Sequence, residues 1–234
     1  MTPKAPFIDT NYYLVGNMTD WKLDTNLKFA HSDADVYEDP IFTIMFTTTE
    51  DDQCWKIIPQ GNVDAGNIWA VENAPKGVVG IETDGDYAMS GTLLTTTSKG
   101  EKANAGKIAK AGTYKMTINM MDYTYEIVKP TEFEYVALIG VGGKWSDGDD
   151  IDLTQVTPHN WYKANVEIPE GGFKIRADHK WRDDGNWGFA ENQNYESKGT
   201  LITSGGSGNI PVPAGTYNIY FNDITGAYAF VEVK

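Results

Sequence analysis

Apolar residues in this chain fall mostly in short alternating runs. From Thr113 to Met120, Tyr114, Met116, Ile118 and Met120 share one face and Thr113, Lys115, Thr117 and Asn119 the other. That is the period of a half-buried strand. Asp122 marks a turn and Tyr123 to Val128 returns, which predicts a hairpin. Tyr12 to Gly16, Ile41 to Thr48 and Cys54 to Ile58 predict further strands, with Glu50-Asp51-Asp52 as a turn. Gly172 to Asp178 alternates again, Phe173, Ile175 and Ala177 opposite Lys174, Arg176 and Asp178, and then runs into the loop-like Asp183-Asp184-Gly185-Asn186. No stretch sustains a helical period. The nearest candidate, Lys99 to Lys110, is broken by Gly100 and Gly106 and predicts a long polar loop.

The pattern then repeats. Val136-Ala137-Leu138-Ile139-Gly140 echoes Tyr12 to Gly16, and Gly172-Phe173-Lys174-Ile175 echoes Cys54-Trp55-Lys56-Ile57. Gly199-Thr200-Leu201-Ile202 echoes Gly91-Thr92-Leu93-Leu94, and Ala214-Gly215-Thr216-Tyr217 is identical to Ala111-Gly112-Thr113-Tyr114. Blocks recurring in one order predict two tandem modules, 1–130 and 131–234, divided near Lys129-Pro130-Thr131-Glu132. Short strands with Gly- and Asp-rich turns in modules of about 100 residues predict an all-β fold of two tandem immunoglobulin-like β-sandwiches.

Composition narrows the function. The net charge of −14 argues against nucleic acid, whose binders need basic surface, and against anionic lipid. An uncharged ligand is compatible with it. The single cysteine, Cys54, rules out an internal disulfide and a Cys-based zinc cluster, and its apolar neighbours predict an inert core thiol. No apolar run approaches the roughly 18 residues of a membrane span. Met1 to Pro6 reads as an extended lead-in without a signal-peptide core.

Catalytic motifs are missing. The three histidines, His31, His159 and His179, lie far apart, and neither a zinc-protease helix, a nucleophile elbow nor a phosphate loop is present. Neighbouring carboxylates such as Asp183 and Asp184 do not supply the pair facing across a cleft that glycoside hydrolysis needs. The run Asp147 to Asp152 lacks the spacing of an EF-hand and reads as a solvated loop. No enzyme, metal or cofactor is implied.

The tryptophans carry the sharper hint. Trp55 aligns with Phe173 and is expected in the core. Trp161 opens a strand whose inward set reads as Tyr162, Ala164, Val166 and Ile168, so it is expected to face out or cap an edge, with no binding role. Trp21 and Trp145 each follow the glycine ending their module's first strand. Trp69 and Trp187 each lie in a turn-like segment beyond the strand bearing Lys56 or Lys174. Each module thus repeats two loop indoles and one lysine. Flat rings beside hydrogen-bonding groups match a sugar, which has an apolar C–H face and a polar rim.

At these residues the chain resembles the SusE/SusF-like surface glycan-binding lipoproteins of starch-utilisation systems. The resemblance rests on the Leu-Val-Gly and Leu-Ile-Gly strands with their Trp loops, the Phe-Lys-Ile-Arg-Ala-Asp strand with its Asn-Trp-Gly-Phe loop, and Asn209 to Tyr217 before the last hairpin. It implies non-catalytic, starch-binding sandwiches in tandem on the outer-membrane face, lipid-anchored in a longer precursor and working beside an outer-membrane porin complex. It further implies aromatic pairs that cradle a curved α-glucan, Trp21 with Trp69 and Trp145 with Trp187. The hydrogen-bonding cations would be Lys56, Lys174 and Arg176 or Arg182. Ile58 stands where Arg176 stands in the second module, so the second module is expected to bind better. The rival expectation is a spacer or protein-contact pair of two β-sandwiches, in which Trp145 and Trp187 would be buried or lie at a domain interface and no glycan would bind.

Overall fold

The computed structural model describes residues 6–70, 77–203 and 206–234; most of the extended lead-in, residues 1–5, lies outside them. The chain divides into two compact units, Met1–Pro130 and Thr131–Lys234. Both are all-β sandwiches of antiparallel sheets.

In the first unit, β1 (Tyr12–Gly16), β3 (Gln53–Pro59) and β5 (Gly106–Ile108) form one sheet in the order β1-β3-β5. The facing sheet takes β2 (Ile41–Thr48), β6 (Gly112–Asn119), β7 (Thr124–Val128) and β4 (Ser90–Thr92) in the order β2-β6-β7-β4. Leu14, Trp55 and Ile57 from the first sheet meet Phe42, Ile44, Met116 and Ile118 from the second in one core. The strand β1 is buried along its whole length because both its faces are covered. Tyr12 and Leu14 enter the main core. Tyr13 and Val15 enter a satellite cluster with Ile58 and Val78, against which Ile68 packs. Burial on two faces explains its unbroken apolar run.

In the second unit, β8 (Val136–Ile139), β9 (Ile151–Asp152), β12 (Lys174–Ala177), β13 (Asn186–Gly188) and β15 (Ile202–Thr203) form a sheet ordered β15-β13-β12-β8-β9. Against it lies the sheet β10-β11-β16-β17-β14, made of β10 (Thr154–Thr157), β11 (Asn160–Ile168), β16 (Gly215–Asn222), β17 (Ala227–Glu232) and β14 (Lys198–Thr200). The repeat is visible in the pairing. Leu14 and Val15 face Ile57 and Lys56, as Leu138 and Ile139 face Ile175 and Lys174. The shared Ala-Gly-Thr-Tyr block has a physical cause. Tyr114 Oη donates to Lys110 O at 2.8 Å and Tyr217 Oη to Pro213 O at 3.0 Å. Each unit thus closes a tyrosine corner before its last hairpin.

Two expectations need correction. The stretch Lys99–Lys110 is not a plain loop: it contains β5, and Ala103, Ala105 and Ile108 are buried. Gly106 is there because Trp55 lies on it; a Cβ would stand 2.3 Å from the indole. A glycine inside a strand marks such a close approach. Trp161 faces inward, and its indole nitrogen donates to Asp223 Oδ2 at 2.8 Å. The register of β11 against β16 shifts between Lys163 and Val166, where Asn165 adopts φ 54°. That bulge reverses the facing of the residues before it.

Candidate functional site

The strand β3 sets the frame of the first unit's site. Its outward residues Cys54 and Lys56 form part of the wall of a groove of about 520 Å³, which also takes Trp21, Trp69, Asp84 and Lys102. Cys54 is therefore half-buried at a groove wall rather than enclosed in the core. Ligand pockets commonly fall in the range of roughly 300–1,000 Å³.

Loops deliver the two indoles, and each loop is tied down. After β1 the chain turns through Asp20 and Trp21, both left-handed at φ 50° and 58°. Trp21 N–H donates to Gly16 O at 2.8 Å, and Asn17 Oδ1 accepts from Cys54 N–H at 2.7 Å, which holds the loop to β3. Trp69 follows the short helix α1 (Gln60–Asp64). The buried Asn62 amide donates to Ile68 O at 3.0 Å and to Ala70 O at 3.1 Å, clamping the backbone on both sides of Trp69. Trp69 is 39% exposed. The ring centroids of Trp21 and Trp69 stand 6.0 Å apart with planes inclined at 50°.

Lys56 reaches the same groove. Its ammonium donates to Ala103 O at 2.7 Å, which leaves donor capacity for a ligand. Burial, and then the neighbouring Lys102, push its pKa below the ordinary lysine range, with Asp84 acting in the opposite direction. Thus Trp21, Trp69 and Lys56, named from the sequence, converge on one groove.

The second unit departs from expectation. Trp187 is in the core, 1% exposed, edge-on to Phe133 at 5.5 Å and to Phe221 at 5.1 Å. Register explains why. Trp187 lies opposite Ile175, the place that Val79 takes opposite Ile57. It is the counterpart of a buried strand residue and not of Trp69. The open indole is Trp181, 51% exposed, in the loop between β12 and β13. It stacks with Trp145, 37% exposed, at 6.4 Å and 27°. Trp145 lies on Gly140, where a Cβ would stand 2.3 Å from its ring. Trp187 is thus buried, as the spacer reading expects, while Trp145 is not.

Two of the three cations expected in this unit are engaged elsewhere. Arg176 is 0% exposed. Its Nε and Nη2 donate to the two oxygens of Asp150 at 2.7 and 2.6 Å, and its guanidinium lies 5.0 Å from the Trp181 ring. It supports the open indole from below instead of facing a ligand, and the reason for ranking the second module ahead falls away. Arg182 pairs with both oxygens of Asp184 and with Asp178, and lies over Phe133. Lys174 is buried, which depresses its pKa. The acidic run is likewise committed: Asp150 to Arg176, and Asp152 to His179 Nε2 at 2.6 Å. Among the described residues no cluster of three or more His, Cys, Asp or Glu could hold a metal.

Trp181 belongs to the loop stretch after Asp178 in which the sequence sets flat rings beside polar groups, but matching the two modules gave the platform to Trp187. The signal for Trp181 was the end of alternation at Asp178: loop residues begin there, ahead of the next strand, and Trp181 falls inside them.

Residues 7–129 match the family described as SusF, first starch specific CBM. The crystal structure of SusF from Bacteroides thetaiotaomicron aligns with 16% identity and a TM-score of 0.42, over all of this chain and 50% of that one. The chain thus spans half the length of that relative. No curated protein matches. With its first unit matched nearly end to end, the chain belongs to the family of SusF first starch-specific carbohydrate-binding modules.

Proposed function

We propose that this chain binds starch-type α-glucan without catalysis, chiefly in the groove of Trp21, Trp69 and Lys56. The observation that carries this is the pair of indoles inclined at 50° over a groove walled by a lysine. Two planes set at an angle follow a curved chain; a flat glucan would favour coplanar rings. Membership in a starch-specific family supports the same ligand. Trp145 and Trp181 supply a second, flatter platform on the other unit. Each aromatic face contributes about 0.5–1.5 kcal/mol beyond burial and each hydrogen bond about 1 kcal/mol. Single sites near ~1 mM, about −4 kcal/mol, follow. Two such sites on one polymer gain retention by avidity.

The same reading places the protein at the bacterial outer-membrane surface, anchored by lipid in a longer precursor and beside a porin uptake complex. Among the described residues no helix is long and apolar enough to cross a membrane. Affinity electrophoresis tests the binding. The chain should be retarded in amylopectin gels but not in xylan or mannan gels, and Trp21→Ala should reduce the retardation. Equal mobility in all gels would overturn the proposal.

A further inference from the structure

We propose that the second unit carries another saccharide site, on the outer face of the β10-β11-β16-β17-β14 sheet, built from Tyr162, Tyr220, Ala229 and Lys198 and taking an uncharged oligosaccharide. This goes beyond the tryptophan platforms and does not depend on them.

Register puts these residues in one row. Thr154 pairs with Tyr162, Tyr162 with Tyr220, Tyr220 with Ala229, and Ala229 with Lys198. Five strands about 4.8 Å apart make a row of roughly 19 Å across the sheet. None of it serves the core, which takes the intervening Ile219 and Phe221. The Tyr162 and Tyr220 rings stand 4.8 Å apart at 41°, and Tyr220 is 46% exposed.

The first unit provides the comparison. Its corresponding row is Thr43, Thr117, Glu126 and Ser90, paired in the same order. That is an ordinary solvated sheet face. The second unit sets two aromatic rings where the first has two threonines. A cross-strand ring pair alone would steady the sheet. Ala229 points to more: at the position Glu126 holds in the first unit, a single methyl stands beside Tyr220.

Two members of the row, Ala229 and Lys198, also line a neighbouring groove of about 500 Å³, together with Tyr195, Glu232 and the apolar Pro213 and Val231. One cation and one anion balance there, so donors and acceptors are offered without net charge. An uncharged polyol complements that lining. A polyanion would meet a chain of net charge −14.

The test uses the full chain, labelled for amide NMR and titrated with maltoheptaose and, separately, cellohexaose. At least one should shift the amides of 219–221 and 228–230, in the parent and in a Trp21→Ala/Trp145→Ala background alike. Tyr220→Thr with Ala229→Glu restores the first unit's residues on an exposed face. It should weaken those shifts at least tenfold in apparent affinity, whereas Tyr220→Phe should preserve them. No shift on this face with either sugar, or shifts indifferent to the Thr/Glu exchange, would overturn the proposal. Failure of the tryptophan sites would appear separately, as unmoved signals around Trp21 and Trp145.

Discussion

Trp187 and Trp181 sit six positions apart in the sequence, and the account assigns them opposite roles. Trp187→Ala removes a fully buried indole wedged between Phe133 and Phe221. Such truncations cost about 3–5 kcal/mol, the edge contacts with two rings placing this one toward the upper end. With a urea m-value of about 2 kcal/mol/M, the midpoint of the second unit should fall by roughly 2 M. Trp181→Ala removes an exposed ring and one cation–π contact with Arg176. Its cost should stay within about 1 kcal/mol. Urea unfolding followed by circular dichroism, fitted for two units, reads both variants. Amylopectin affinity gels run at low urea read binding, where Trp181→Ala should weaken retardation despite an intact fold. A Trp187→Ala protein as stable as the parent but unable to bind would refute the reasoning, because it would make Trp187 the ligand-facing ring.

Further expectations follow from the same geometry. Lys56→Met keeps the aliphatic stem and should weaken α-glucan binding about tenfold, the loss of roughly one charged hydrogen bond, as measured by titration with maltoheptaose; losing the bond to Ala103 O should cost about 1 kcal/mol of stability besides. Asn62→Ala, which touches no ligand, should loosen the Trp69 backbone and lower affinity several-fold, with faster amide exchange at 68–70 as the independent sign. Gly106→Ala should destabilise the first unit by more than 1 kcal/mol in urea unfolding, because the clashing Trp55 indole is itself buried and cannot yield. The hydrogen bond and charge of Arg176 hold the Asp150 carboxyl below the usual carboxylate range. Its stabilisation is complete above the unfolded value near 4 and lost as pH falls through the lower folded value. The second unit should therefore lose stability steeply below about pH 4, and Asp150→Asn with Arg176→Met should flatten that limb of the pH–stability curve.

The strands and the repeat were legible because local chemistry determines them. Alternation from Thr113 to Met120 fixes which face is buried, and Tyr114 and Tyr217 stand in identical blocks because both close the same backbone turn. Trp21, Trp69 and Lys56 could be grouped since Lys56 lies on the outer face of a strand whose register the apolar pattern fixes, and the two indoles sit in the turn-like segments that follow the strands. Trp187 was misplaced for a reason of length. The path from β3 to Val79 is much longer than the path from β12 to Trp187, so order along the chain matched a loop indole to a strand indole. Trp161 was misread because a bulge at Asn165 changes facing without changing composition. Arg176 reads as an outward cation by alternation, yet its partner Asp150 arrives from a distant loop, and such long-range pairing leaves no periodic trace.

The most direct test follows the seven indole N–H signals of the full chain as maltoheptaose is added. The Trp21 and Trp69 signals should move and saturate near the millimolar range, while those of the buried Trp55, Trp161 and Trp187 stay in place. Signals of Trp21 and Trp69 that do not respond to maltoheptaose, in a protein that still binds it, would contradict the assignment of the groove.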